Sequence, residues 1–109
     1  MSVFFDFEDM EWTEIPPTAR RKVVHEGDLM FALFELRPGP EMRLHRHPHT
    51  QMATLLQGRI EATVGDEKRV LEPMEGYCVP ANAAHGVRVL SDEPALVLDC
   101  FTPVREDFL

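Results

Sequence analysis

Short apolar stretches recur along the chain between turn signals, at intervals of roughly ten residues, which is the spacing of a β-sandwich or barrel. Residues 21–25 and 29–37 flank Glu26-Gly27-Asp28 and predict a hairpin. Pro38-Gly39-Pro40 then breaks the chain. Residues 52–57 predict a strand and Gly58 a bend, after which Ile60, Ala62 and Val64 alternate with Glu61 and Thr63. Gly65-Asp66-Glu67 turns the chain back through residues 68–71, the clearest hairpin in the sequence. Glu72-Pro73-Met74-Glu75-Gly76 is another turn, and residues 77–79, 86–90 and 95–101 supply further strands, the last two parted by Ser91-Asp92-Glu93-Pro94. No segment of ten or more residues keeps a helical period without a Pro or Gly. The prediction is an all-β chain.

The first twenty residues are less regular. Phe4, Phe5, Phe7 and Trp12 would be poor choices for a free tail, so they are expected to cover a barrel opening or a subunit partner. Edges and apolar patches left by a small β-barrel make a homodimer the default expectation. A chain of 109 residues fits a single domain with one modest core. No apolar run approaches the ~18 to 20 residues of a membrane helix, and no basic leader precedes a long apolar stretch, so a cytoplasmic protein with no membrane partner is expected. Eleven basic against nineteen acidic residues give a net charge of −8, which repels phosphate backbones and argues against nucleic acid as a partner. A small anionic substrate would need local positive charge, which a metal ion or an arginine can supply. Cys78 and Cys100 both fall in apolar strand-like stretches and are expected to be buried, reduced thiols.

Four of the five histidines fall in two short stretches. In His45-Arg-His47-Pro-His49-Thr-Gln51, alternation along an extended strand gives all four named side chains one parity, so parity alone does not say which of them bind a metal. Imidazole is a ligand that first-row transition metals accept readily. His85 follows a turn-rich run, Gly76-Tyr-Cys-Val-Pro80-Ala-Asn82-Ala-Ala-His85. The spacing Gly39-x5-His45-x-His47-x3-Gln51-x6-Gly58 resembles the first cupin motif, with Gln51 where that family usually has Glu. Pro80-x-Asn82-x-x-His85 resembles the second, with Asn82 in place of the usual Gly, a short gap between Gly76 and Pro80, and Val89 where the motif ends in Asn. The resemblance covers roughly residues 30–101 and implies a jelly-roll-like barrel, the double-stranded β-helix, around one divalent transition metal held by His45, His47, Gln51 and His85. His49 would then lie at the rim, outside the ligand set. Three neutral imidazoles and a neutral amide leave the ion's charge uncompensated, and Zn, Ni, Fe, Mn, Co and Cu all suit such donors.

The C-terminal run Leu98-Asp99-Cys100-Phe101-Thr102-Pro103-Val104-Arg105-Glu106-Asp107-Phe108-Leu109 adds a second group. Val97, Asp99 and Phe101 share a strand face; if that face looks inward, Asp99 is a buried carboxylate able to exchange protons near neutral pH. Arg105 can clamp a substrate carboxylate or form an ion pair with Glu106 or Asp107. Together with the histidine motif, this tail resembles the small single-domain cupins of the pectin-degradation (KdgF-like) group, which open the ring of 4,5-unsaturated uronates to linear keto acids. The resemblance implies metal binding by the four ligands above, with catalytic roles for Asp99 and Arg105 and a substrate pocket lined by Phe101 and Arg105. A non-catalytic small-molecule sensing cupin and a metal-dependent dioxygenase are the alternatives. The second would require oxygen and a redox-active ion.

Overall fold

The computed structural model describes residues 3–39 and 44–109. Among the described residues nine strands form in chain order: β1 (Thr13–Ile15), β2 (Ala19–Glu26), β3 (Leu29–Leu36), β4 (Thr50–Gln57), β5 (Ile60–Val64), β6 (Glu67–Leu71), β7 (Gly76–Val79), β8 (His85–Val89) and β9 (Ala95–Thr102). Their pairing gives a six-stranded sheet in the order β1-β2-β3-β9-β4-β7 and a three-stranded sheet in the order β6-β5-β8. Every ladder is antiparallel, and the two sheets form a jelly-roll-like barrel. Helical geometry among the described residues is limited to two 3-10 turns, Phe7–Asp9 and Glu106–Phe108, and no helix is long and apolar enough to cross a membrane.

The strand periodicity sets the inner face. On β9, Ala95, Val97, Asp99 and Phe101 are buried while the residues between them are less so. On β4, Gln51, Ala53 and Leu55 are buried in the same alternation. Register places Leu55 opposite Val97, Ala53 opposite Asp99 and Gln51 opposite Phe101. The inner surface therefore changes character along its length. At one end Leu55, Val97, Ala95, Ile60, Ala62 and Leu71 form an apolar plug; towards the other, polar side chains enter the wall.

Turn chemistry closes the hairpins where the sequence predicts. Gly27 and Gly65 take φ values of +56° and +60°, the left-handed region that only glycine enters without cost. Pro40, the last residue of the predicted break, lies with residues 41–43 outside the described residues.

Two expectations are corrected. The segment 1–20 is not irregular throughout: β1 pairs with β2, and β2 already begins at Ala19. The run is held from beneath by Lys22, whose ammonium donates to the Phe7 carbonyl at 2.6 Å and stands 4.4 Å from the Trp12 ring. Nor are both thiols buried. The cysteines are unpaired, but Cys78 is exposed and Cys100 partly so, because both occupy the outward parity of their strands.

Candidate metal centre and active site

Backbone hydrogen bonds stitch the two histidine stretches together. The His45 and His85 amides exchange bonds with each other's carbonyls at 3.0 and 2.9 Å, and the Asn82 amide donates to the His47 carbonyl at 2.8 Å. Asn82 sits at φ +67°, a conformation Asn tolerates far better than a branched residue, which explains why it can stand where the resemblance expects Gly.

The result is a donor cluster. One ligand atom from each of His45, His47 and His85 lies within 4.8 Å of the others, so the three histidines could hold a metal ion. His47 Nε2 is 3.1 Å from His85 Nε2 and 3.0 Å from Gln51 Oε1. His47 Nδ1 lies 3.2 Å from the His49 carbonyl, and His85 Nδ1 lies 2.9 Å from the Ala83 carbonyl. A carbonyl can only accept, so each Nδ1 carries the proton and each Nε2 is left with a lone pair. Two lone pairs and an amide oxygen turned on one point repel one another unless a cation stands there. Ligands at right angles around an ion with bonds of ~2.1 Å lie ~3.0 Å apart, so the observed separations suit a shared ion. Burial, then the charge of Arg105 and the neighbouring His85, push the His47 pKa down, which keeps the ring in the neutral form a metal requires. His47, Gln51 and His85 are buried, whereas His45 stands exposed at the rim rather than inside the barrel. His49 is not part of the cluster, although its ring packs edge-on against that of His47 at 5.4 Å.

Beside the cluster a cavity of about 290 Å³ opens, lined by His45, Gln51 and His85 and also by Arg21, Tyr77, Asp99, Phe101, Arg105 and Phe108. Asp99 faces inward and is buried. Desolvation pushes its pKa up to about 7, against the opposing pull of the Gln51 amide and Arg105. Its Oδ1 has no hydrogen-bond partner among the described residues. With Oε1 turned to the histidines, Gln51 leaves its NH2 for Asp99, and so links the cluster to the carboxyl. Burial and the charge of Asp99 raise the Tyr77 pKa, so the phenol stays protonated.

A cupin-domain family model matches residues 32–101. The pectin degradation protein KdgF of Dickeya dadantii is 32% identical over the whole length of both chains. The chain is a cupin of the KdgF-like group. The structure of KdgF from Halomonas superposes with a TM-score of 0.92 at 32% identity over all of both chains, and an RmlC-like cupin from Shewanella frigidimarina gives 0.89 at 26% identity over all of this chain and 97% of that one.

In this cupin Arg105 takes the ion-pair geometry. Its Nε and one terminal nitrogen donate to the two Asp107 oxygens at 3.1 and 2.8 Å, and this pairing holds the Asp107 pKa down. The guanidinium nonetheless lines the cavity, 4.3 Å from the Phe108 ring and 5.2 Å from the Phe101 ring. Phe101 packs edge-on to Phe108 and His47, at 5.6 and 5.8 Å.

Two polar residues of the cavity had not stood out from the sequence. Tyr77 looked like an ordinary strand aromatic. Arg21 sits in the run Arg20-Arg21-Lys22, which resembles a solvated charge cluster, although its parity is that of Ala19 and Val23. That shared parity was the available signal.

Proposed function

We propose that this cupin is a metal-dependent, non-redox enzyme that opens the ring of a 4,5-unsaturated uronate to the linear 4-deoxy-5-keto acid. The observation that carries the reading is the neighbourhood of an inward, buried Asp99 and a histidine-glutamine donor cluster within one cavity. Full-length similarity to a pectin degradation protein supports the substrate class.

The reaction is an isomerisation, so its atoms balance with no oxidant or co-substrate. A proton leaves the anomeric hydroxyl, the bond from C1 to the ring oxygen breaks, and C1 becomes an aldehyde. The electron pair moves to the former ring oxygen as an enolate at C5, and a proton delivered to C4 completes the 5-keto acid. An ion held by His45, His47, Gln51 and His85 would supply positive charge for that oxygen. Asp99, with a carboxyl that ionises near neutrality, takes up and delivers the proton. Arg105 offers the N–H groups not spent on Asp107 to the substrate carboxylate. Phe101 limits where the sugar ring can lie. The working form is a cytoplasmic homodimer.

The decisive experiment follows unsaturated galacturonate by proton NMR with metal-loaded protein, under argon and under air. Equal formation of the keto acid in both is expected, and loss of it in His47→Ala along with the bound metal. Product only in air would place the protein with the dioxygenases, and bound but unaltered uronate would make it a sensor.

A further inference from the structure

Charge within the cavity is not shared evenly between its two arginines. Arg105 is committed to Asp107 through two hydrogen bonds, so that pair is close to neutral. Arg21 is the remaining cation. Its guanidinium lies 3.9 Å from the Phe108 ring, the same ring that Arg105 contacts. It makes no hydrogen bond with the described residues and is only half-buried, so its N–H donors are free for a ligand.

The strand register explains why it points inward. Arg21 pairs with Phe34 on β3, and Phe34 pairs with Val97 on β9, both lining residues of the cavity. In the next inward row Val23, Ala32 and Asp99 lie side by side on β2, β3 and β9. Ala19, two residues before Arg21, also lines the cavity. A long side chain starting at Arg21 therefore reaches the cavity wall, where its guanidinium packs on Phe108. Asp107 lies close enough for its charge to act on Arg21, but it makes no hydrogen bond to it, so in a chain carrying a net charge of −8 this cavity guanidinium keeps all its donors for an anion.

We propose that Arg21 is a second, principal arm for the substrate carboxylate, acting with the remaining donors of Arg105. Phe108 is the wedge that spaces the two guanidinium groups. The assignment rests on the uronate reading above. Arg21 is a binding residue and takes no proton in the reaction.

The test is Arg21→Gln, with Arg21→Lys as a variant that keeps the charge and loses the planar fork. With metal-loaded protein and unsaturated galacturonate, Arg21→Gln should raise KM by about 10- to 100-fold and change kcat by less than about threefold, with Arg21→Lys intermediate. Calorimetric titration with D-galacturonate and with neutral D-galactose separates the two claims. The parent should prefer the acid, and Arg21→Gln should lose that preference. An unchanged KM and an unchanged preference in Arg21→Gln overturn the assignment, even if the reaction itself is confirmed. A preference for galacturonate that depends on Arg21, in a protein that does not turn over the unsaturated sugar, upholds the anion site and overturns the reaction. Should Arg21→Gln fold poorly, Arg21→Lys decides: parental KM and parental preference in that variant reject the fork as the binding element.

Discussion

At the residue scale the proposed chemistry falls to Asp99, because it is the one buried carboxyl among the described residues and desolvation lifts its pKa to about 7. Asp99→Asn should keep the metal and most of the substrate affinity and lose on the order of 10² to 10⁴ in kcat. Steady-state kinetics at saturating metal check this, and parental turnover would remove Asp99 from the mechanism. The same shift has a consequence for stability. Between ~4, where an unfolded Asp ionises, and about 7, the native chain holds a proton that the unfolded chain has released. Asp99 thus contributes stability at low pH that is lost as pH rises through that window. In metal-free protein the melting temperature of the parent should fall relative to that of Asp99→Asn by about 5 °C or more between pH ~4.5 and ~7.5. A constant difference would mean the native carboxyl ionises as it does in water. Asp99 was visible in the sequence because an acid in the run Leu96-Val97-Leu98-Asp99-Cys100 breaks an apolar strand. Arg21 was not, since strand parity must be known before an arginine among cations can be assigned to the inside.

Elements hold these residues in place through a few close approaches. Gly76 begins β7 opposite Thr54 of β4, and a Cβ there would run into the Ala53 carbonyl oxygen. Gly76→Ala should therefore cost about 2 kcal/mol or more and loosen β7, with Tyr77 and the loop that presents His85. Urea titration together with a metal-affinity measurement tests both effects; parental values for both would show that the backbone adjusts freely. By contrast, Gly65 has open space around it and would meet only the conformational cost of φ +60° on substitution. Strand positions from β2 to β9 were legible because period-two alternation and glycine turns are local signals. The β1 strand was not, for Thr13-Glu14-Ile15 has too few residues to show a period, and only its pairing with β2 makes it a strand. Likewise, the convergence of His45 and His85 depends on a backbone bridge between segments far apart in sequence, which the motif resemblance supplied and periodicity did not.

Across the whole molecule, the barrel holds an apolar plug and, beside it, a mostly apolar cavity into which a few polar side chains converge, and β4 and β9 contribute to both. The outer face of the larger sheet still exposes Phe31 and Met52, at 36% and 60%, on the parity opposite to the core. The homodimer expected from the sequence would cover such residues, and sedimentation equilibrium should then give twice the chain mass of 12.5 kDa. A mass of one chain at micromolar concentration would reject it. Joint action of the donor cluster and Asp99 on an unsaturated uronate can be followed through the ultraviolet absorbance of the 4,5 double bond. Metal-stripped protein under argon should leave the absorbance unchanged, and restoring a divalent ion should produce a steady loss of it. Persistence of the double bond in the presence of fully metal-loaded protein would show that this cupin does not open the ring.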